Sequence, residues 1–323
     1  MSYRATQTPR PATPRDGAPG LAAARRRKWR LTTERRERWG YLLFLVPAFS
    51  YIVLFFGYPL AKNVWMGFVD FRTATFVTGE APWIGLANYA AVLATPVLPI
   101  ATVNTLVITL ATVAIQVVLG LLIASFFNQR FAGARFYSSA MLLPWLLPLV
   151  TTAAVWKWLL REDGPLIVAL APLGVSGSPL ADPNTALAVL IGVNIWLGLP
   201  FFVIILGAAL QSVPVDQLEA ASLDGAGRFG RFWHIVIPSI RPQLTVAITL
   251  SIIYTLKVLE LPLILTGGGP ANATQTLGTV AYNLSFQQFE FGQGAAVGNI
   301  LMLVTLVFAV VYVYLGARKE ETE

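Results

Sequence analysis

Cysteine is missing from this 323-residue chain, which excludes disulfides, thiolate metal sites, iron–sulfur clusters and a cysteine nucleophile. Histidine occurs once, as His234, so a histidine-rich metal centre or a Ser/His/Asp triad has almost no material. Charge is scarce as well: 12% of the residues are Asp, Glu, Lys or Arg, against about 25% in a soluble domain. No GxxxxGKS or GxxxxGKT stretch occurs, so the chain does not cradle a nucleotide by that device. These absences argue against an enzyme: no catalytic residue, no metal site and no bound cofactor is expected.

What the chain has is apolar length. Hydrophobic residues make up 56% of it and the mean hydropathy is +0.65, with apolar runs of roughly 20 residues, the length that crosses a bilayer as helix. Six spans are expected, at about 40–62, 103–127, 137–160, 185–210, 243–266 and 294–316. The fold class is therefore all-α, a polytopic membrane protein surrounded by lipid. Residues 1–38 read as a disordered basic tail, because the first 24 are rich in Pro, Ala, Thr and Arg with no apolar period. Residues 39–318 form the membrane domain, and 319–323 a short C-terminal tail.

Charge sets the orientation. The net charge is +7, and 18 of the 23 lysines and arginines lie in the N-terminal tail, the loops 128–136 and 211–242, and the C-terminus. Positive loops stay in the cytoplasm, which places both termini and those loops inside a bacterial cell membrane. A basic tail can also bind nucleic acid, but no nucleic-acid-binding fold accompanies it, so none is expected as partner. Trp65, Trp83, Trp156 and Trp158 fall near span ends, where amphipathic rings anchor at the headgroups.

One loop is richer than a connector needs to be. Residues 218–242 read LEAASLDGAGRFGRFWHIVIPSIRP. Pro214 suits a first helical turn. Val215, Leu218, Ala221 or Ser222, and Gly225 then follow at spacings of three or four, giving one narrow face of small and apolar groups. Gly225 and Gly227 break that helix, Arg228 to Val236 form a second, and Pro238 marks a turn back towards the membrane. On the residues alone, an amphipathic loop lying on the headgroups is the competing reading.

The pattern Glu219-Ala220-Ala221, three residues, Gly225, nine residues, Ile235, then Ile237-Pro238 resembles the cytoplasmic loop of binding-protein-dependent ABC importer permeases, with Ile237 where leucine is usual. WIGLANYAAVL from Trp83, VNTL from Val103, and LKVLELPLILTGGGPANATQT at the end of the fifth span are similar to the sugar-permease branch, in its first permease subunit. There Leu259 replaces a phenylalanine and Glu260 an aspartate. The resemblance runs from about residue 40 to 316. It implies the type I ABC importer transmembrane architecture, a second homologous permease, two ATPase subunits that carry ATP and Mg, and an extracytoplasmic solute-binding protein. It further implies that Glu219, Ala220, Ala221, Asp224, Gly225, Ile235 and Pro238 couple this chain to an ATPase. The cargo it implies is a sugar, of di- or oligosaccharide size.

Inside the spans, Lys257 and Glu260 stand three apart, so on one helix they share a face and neutralise each other. Ionisable groups at this depth are expensive and usually functional. Gln116, Asn194, Trp196, Tyr254 and Asn299 are the other candidates for a substrate pathway. Sugars take hydrogen bonds to their hydroxyls and an aromatic ring against their apolar face, and Asn194 with Trp196 offers both. Such polar groups also glue helices together. The rival function is a secondary transporter or channel working without an ATPase, which commonly shows internal repeats or several carboxylates within its spans. No repeat is found, and Glu260 is the one carboxylate in a predicted span. The GGGP run at 267–270 reads as a tight turn that uses glycine's freedom in φ.

Overall fold

The computed structural model describes residues 44–129 and 131–320, side chains at 76, 135 and 311–320 excepted. The expected tail over 1–38 and the last three residues lie outside the described residues. So does Arg130, and the side chains of Arg135, Arg318 and Lys319 are likewise not described.

The described residues are almost entirely helical, with one isolated bridge between Val69 and Trp83. Five helices are long and apolar enough to cross a bilayer: span one (Phe44–Met66), span two (Val97–Phe127), span four (Pro183–Gln211), span five (Arg228–Leu256) and span six (Phe291–Val310). The bent pair Phe136–Leu146 and Leu149–Leu159 makes a sixth, span three, when counted as one. The chain divides at Ala61 into two compact units. In the first, the described helix exposes its apolar side chains, Phe44, Leu54 and Phe55 among them.

The second unit holds the remaining spans. Span two packs along spans four and five. Ile108, Ala153, Leu190, Val193, Leu261 and Leu265 bury one another where spans two, three and four meet the segment after span five. Ala124, Phe202, Leu206 and Ala247 form the next layer along spans two, four and five. Ala209, Val213 and Ile240 close the end that carries the EAA loop, with Leu218, Ile235 and Ile237 against them. These helices are apolar on most sides, as membrane helices are, so periodicity does little to orient them.

Prolines account for three departures from straight helix. Pro148 forces its predecessor out of the α region: Leu147 takes ψ 138°, and span three bends by 98° there. The expected single span 137–160 is therefore broken. Pro59 and Pro238 each follow a π-helical stretch, Val53–Gly57 and Phe232–Val236. A proline in a helix interior costs about 3 kcal/mol through a lost bond and a ring clash. The wide turn relieves it: Val53 O accepts from the Tyr58 N–H, and Phe232 O from the Ile237 N–H, five residues on. The helix consequently runs unbroken through Pro238 from Arg228 to Leu256. The expected separate helix over Arg228 to Val236, and the turn at Pro238, are both corrected: that stretch is the beginning of span five.

Span five also ends early. The expected span 243–266 is interrupted after Leu256, and a short half-helix, Glu260–Leu265, follows. Gly267 and Gly268 then turn the chain at φ 68° and 87°, as the glycine run predicts. Residues 274–280 are buried beside span two.

Candidate functional site

A cavity of about 890 Å³ lies between spans two, three, four and five. Both interruptions open onto it: Leu147 and Leu149 flank the break in span three, and Lys257, Val258, Leu259 and Glu260 form the break in span five. Non-helical backbone is tolerated at membrane depth where it is buried in protein or lines a cavity. Of the candidate pathway residues, the structure brings Gln116, Asn194, Tyr254, Lys257 and Glu260 to this one wall. Trp145, Phe201, Ser251 and Thr255 complete the polar and aromatic surface.

Lys257 and Glu260 do not share a helix, and no ion pair joins them. The expectation that they neutralise one another on a common face fails because the helix stops between them. Lys257 caps the C-terminal end of Ile237–Leu256, while Glu260 opens Glu260–Leu265. Each charge thus sits at the helix end whose partial charge favours it. The Lys257 ammonium also lies 5.2 Å from the centre of the Tyr254 ring. A cation and a carboxylate, held by separate helix ends, both face the cavity.

Part of the same lining is a buried polar joint. Gln116, 2% exposed, donates from Nε2 to Asn194 O at 3.1 Å and accepts at Oε1 from Ser251 Oγ at 2.9 Å. Spans two, four and five meet at this one amide. Gly198 makes room for it, since a Cβ there would collide with the Gln116 side chain.

Two candidates do not line the cavity. Trp196 packs edge-on against Trp156, ring centres 5.5 Å apart, and the aromatic surface comes instead from Trp145 and Phe201, 6.1 Å apart. Asn299 ties span six to span one: it accepts from Asn63 Nδ2 at 2.8 Å and donates to Tyr89 Oη at 2.9 Å. Gly67 lets that knot close, because a Cβ there would meet both Asn299 and Tyr89. Trp145, Phe201 and Ser251 gave no signal in the sequence beyond being aromatic or small within an apolar run. Gln116 was legible only as a polar group within an apolar span; the facing Gly198 is seen in the structure alone.

The EAA loop lies at the other end of spans four and five. Its helix, Val215–Leu223, ends at Asp224, and Gly225 at φ 83° provides a left-handed turn that other residues adopt only with strain. No side chain would be obstructed there, so conformation is the reason for glycine. Leu218 and Ala221 turn partly inward, Leu218 against the Val213 and Ile240 cluster and its carbonyl within reach of Arg231 at 3.5 Å. The expected narrow apolar face is thus partly used within the chain. What faces outward is the ridge Val215, Glu219 and Leu223, with Leu223 89% exposed and Phe229 beyond it 83% exposed. Glu219 makes no ion pair among the described residues, and Ala220 and Pro238 are exposed. Ile235 is half-buried against the span ends.

A multi-pass helical membrane protein with two broken spans around a cavity that carries a few charged and polar groups, and an exposed acidic helix at one end, is the class that these features define. The chain belongs to the binding-protein-dependent transport system inner membrane component family, whose model matches residues 116–321. It is 32% identical over 289 residues to the trehalose/maltose transport system permease protein MalF of Thermococcus litoralis, covering 89% of this chain and 96% of that protein. It is 30% identical to the sulfoquinovosyl glycerol transport system permease protein SmoG of Agrobacterium fabrum, covering 91% and 95%. A chain of a bacterial ABC transporter involved in import of the acidic polysaccharide alginate superposes with a TM-score of 0.77 at 22% identity, over 90% of this chain and 99% of that one. The fold is that of the type I ABC importer transmembrane subunit.

Proposed function

We propose that the chain is one permease subunit of an ATP-driven sugar importer and that the 890 Å³ cavity is its half of the sugar's path. The observation that carries the reading is the cavity wall. It presents a cation (Lys257), a carboxylate (Glu260), an amide (Asn194) and hydroxyls (Ser251, Tyr254) beside the aromatic pair Trp145 and Phe201. That set matches a ligand with many hydroxyls and apolar ring faces, since each hydroxyl both donates and accepts. The names of the two relatives, which concern trehalose/maltose and sulfoquinovosyl glycerol, support the same class.

In this reading the ridge Val215, Glu219 and Leu223, with Asp224 and Gly225 behind it, docks on one of two ATPase subunits that bind ATP and Mg. A second permease completes the pathway and an extracytoplasmic binding protein delivers the sugar. The EAA end, with both termini, faces the cytoplasm, where most of the lysines and arginines lie. Closure of the ATPases then moves spans four and five through the loop that joins them. Ala220, Ala221, Ile235 and Pro238 shape that loop and seat it on the spans.

The test is ATP-dependent sugar uptake by the assembled transporter in proteoliposomes. Replacing Glu219 by Ala together with Gly225 by Val is expected to cut uptake at least about tenfold while the chain still inserts and assembles. Parental uptake by that double variant would sink the coupling role.

A further inference from the structure

Span five is interrupted over 257–259, and Pro262 is the local cause: it has no N–H for the Val258 carbonyl four residues earlier, and its ring would clash with that carbonyl in a continuous helix. The freed carbonyl of Val258 accepts from the Thr276 hydroxyl at 3.2 Å. Gly278 comes so close that a Cβ would lie 2.9 Å from that same carbonyl oxygen. Thr276 is wholly buried and caps the helix Leu277–Tyr282, accepting from the Thr279 N–H at 3.2 Å. The segment that supports the break is in turn fastened to span two. Asn104 Nδ2 donates to Ala273 O and Gln275 O, each at 3.0 Å, and reaches Asn272 O at 3.5 Å. Thr105 Oγ1, next to it, accepts from the Leu277 N–H at 3.0 Å. Asn104 and Thr105 are 7% and 1% exposed, so water does not substitute for these bonds.

We propose that Asn104 is a positioning residue for the cavity: through the segment 272–279 it sets the break at 257–259, and thereby where Lys257 and Glu260 meet the transported solute. Two parts of the sequence that look unrelated, VNTL on span two and the TQT that follows GGGP, are one clamp. Each buried hydrogen bond in it stabilises the arrangement, and a buried carbonyl left without a donor costs more than the bond itself contributes. Pro262 favours a break, and the clamp is what fixes its geometry. The role in solute binding rests on the importer reading, whereas the clamp's control of the break does not.

The chain's lack of cysteine supplies the test. In the assembled transporter, Lys257→Cys is labelled from the cavity with a small charged maleimide, and the rate on this chain is read by mass. Asn104→Asp replaces two donors by a carboxylate facing the same carbonyls, and Thr276→Val removes the hydroxyl on Val258. Each is expected to change the labelling rate about fivefold or more, while Thr276→Ser, which keeps the hydroxyl, stays within about twofold of the parent. The control is Asn299→Ala, which breaks an equally buried knot away from the cavity and is expected to leave the rate unchanged. Parental rates in both Asn104→Asp and Thr276→Val would overturn the proposal, as would an equal change in Asn299→Ala. If Asn104→Asp does not assemble, the Thr276 pair decides alone. Labelling needs no transported solute, so its failure is separate from failure of the sugar reading. With Lys257 in place, Asn104→Asp is expected to raise the uptake KM about tenfold with little change in the maximal rate.

Discussion

Spans two and four run 31 and 29 residues without interruption, whereas spans three and five are each broken beside the same cavity. The continuous pair satisfies its backbone internally except at Pro200 in span four, and it meets through side chains, with Gln116 set against Gly198. The broken pair releases carbonyls and N–H groups that must find partners elsewhere. Thr276 serves the break in span five. Lys157, on the far half of span three, donates to Ile264 O at the end of the half-helix Glu260–Leu265 at 3.0 Å. Rigidity and chemistry are thus divided: continuous helices form a frame, and interrupted ones present charge and backbone to the cavity.

The contrast can be broken most severely at the frame. Gly198→Leu drives a side chain into Gln116, and overpacking of this kind costs about 3 kcal/mol; little folded protein is expected in detergent size-exclusion, and a normal yield would show that spans two and four have slack. Gln116→Leu keeps the volume but leaves the Ser251 hydroxyl without its acceptor. A loss of about 1–2 kcal/mol is expected, read as a lower melting temperature of the purified transporter, and an unchanged one would mean the joint contributes nothing. Lys157→Met sharpens the comparison from the other side. It removes one exposed bond, so the stability change should stay below about 1 kcal/mol, while the half-helix, having lost that tie, should exchange its amide hydrogens faster than spans two and four do.

Some of this was legible in the residues. The EAA loop declared itself through the spacing of Glu219, Ala220, Ala221 and Gly225, because a helix of fixed length and a left-handed turn require particular residues at particular offsets. The break at Leu147 has a local cause in Pro148, although the run 137–160 reads as a single span. Pro238 misled, because a π-helical stretch absorbed it and the helix continued. Lys257 and Glu260 looked like an i, i+3 pair only on the assumption that the helix was intact. Asn194, Trp196 and Asn299 were equal candidates as polar or aromatic groups in apolar runs, and nothing local distinguishes a cavity wall from a knot between helices. Burial on every side removes the periodic signal that separates faces in a soluble helix.

The sequence by itself determined that the chain lives in a membrane as helices, roughly where they lie, and where the EAA loop stands among them. Those follow from apolar length, charge placement and local turn chemistry, which are properties of short stretches. Only the tertiary structure decided that span five stops at Leu256, that its two charges stand apart, and which polar groups share one cavity. Pro262 disfavours a continuous helix here, but the geometry of the stop is set at a distance: the Val258 carbonyl is left to Thr276, eighteen residues on, and that segment is held by Asn104, about 170 residues earlier. A carbonyl freed in a dry interior must find a donor, and which groups come together to supply it is fixed by packing between distant parts of the chain.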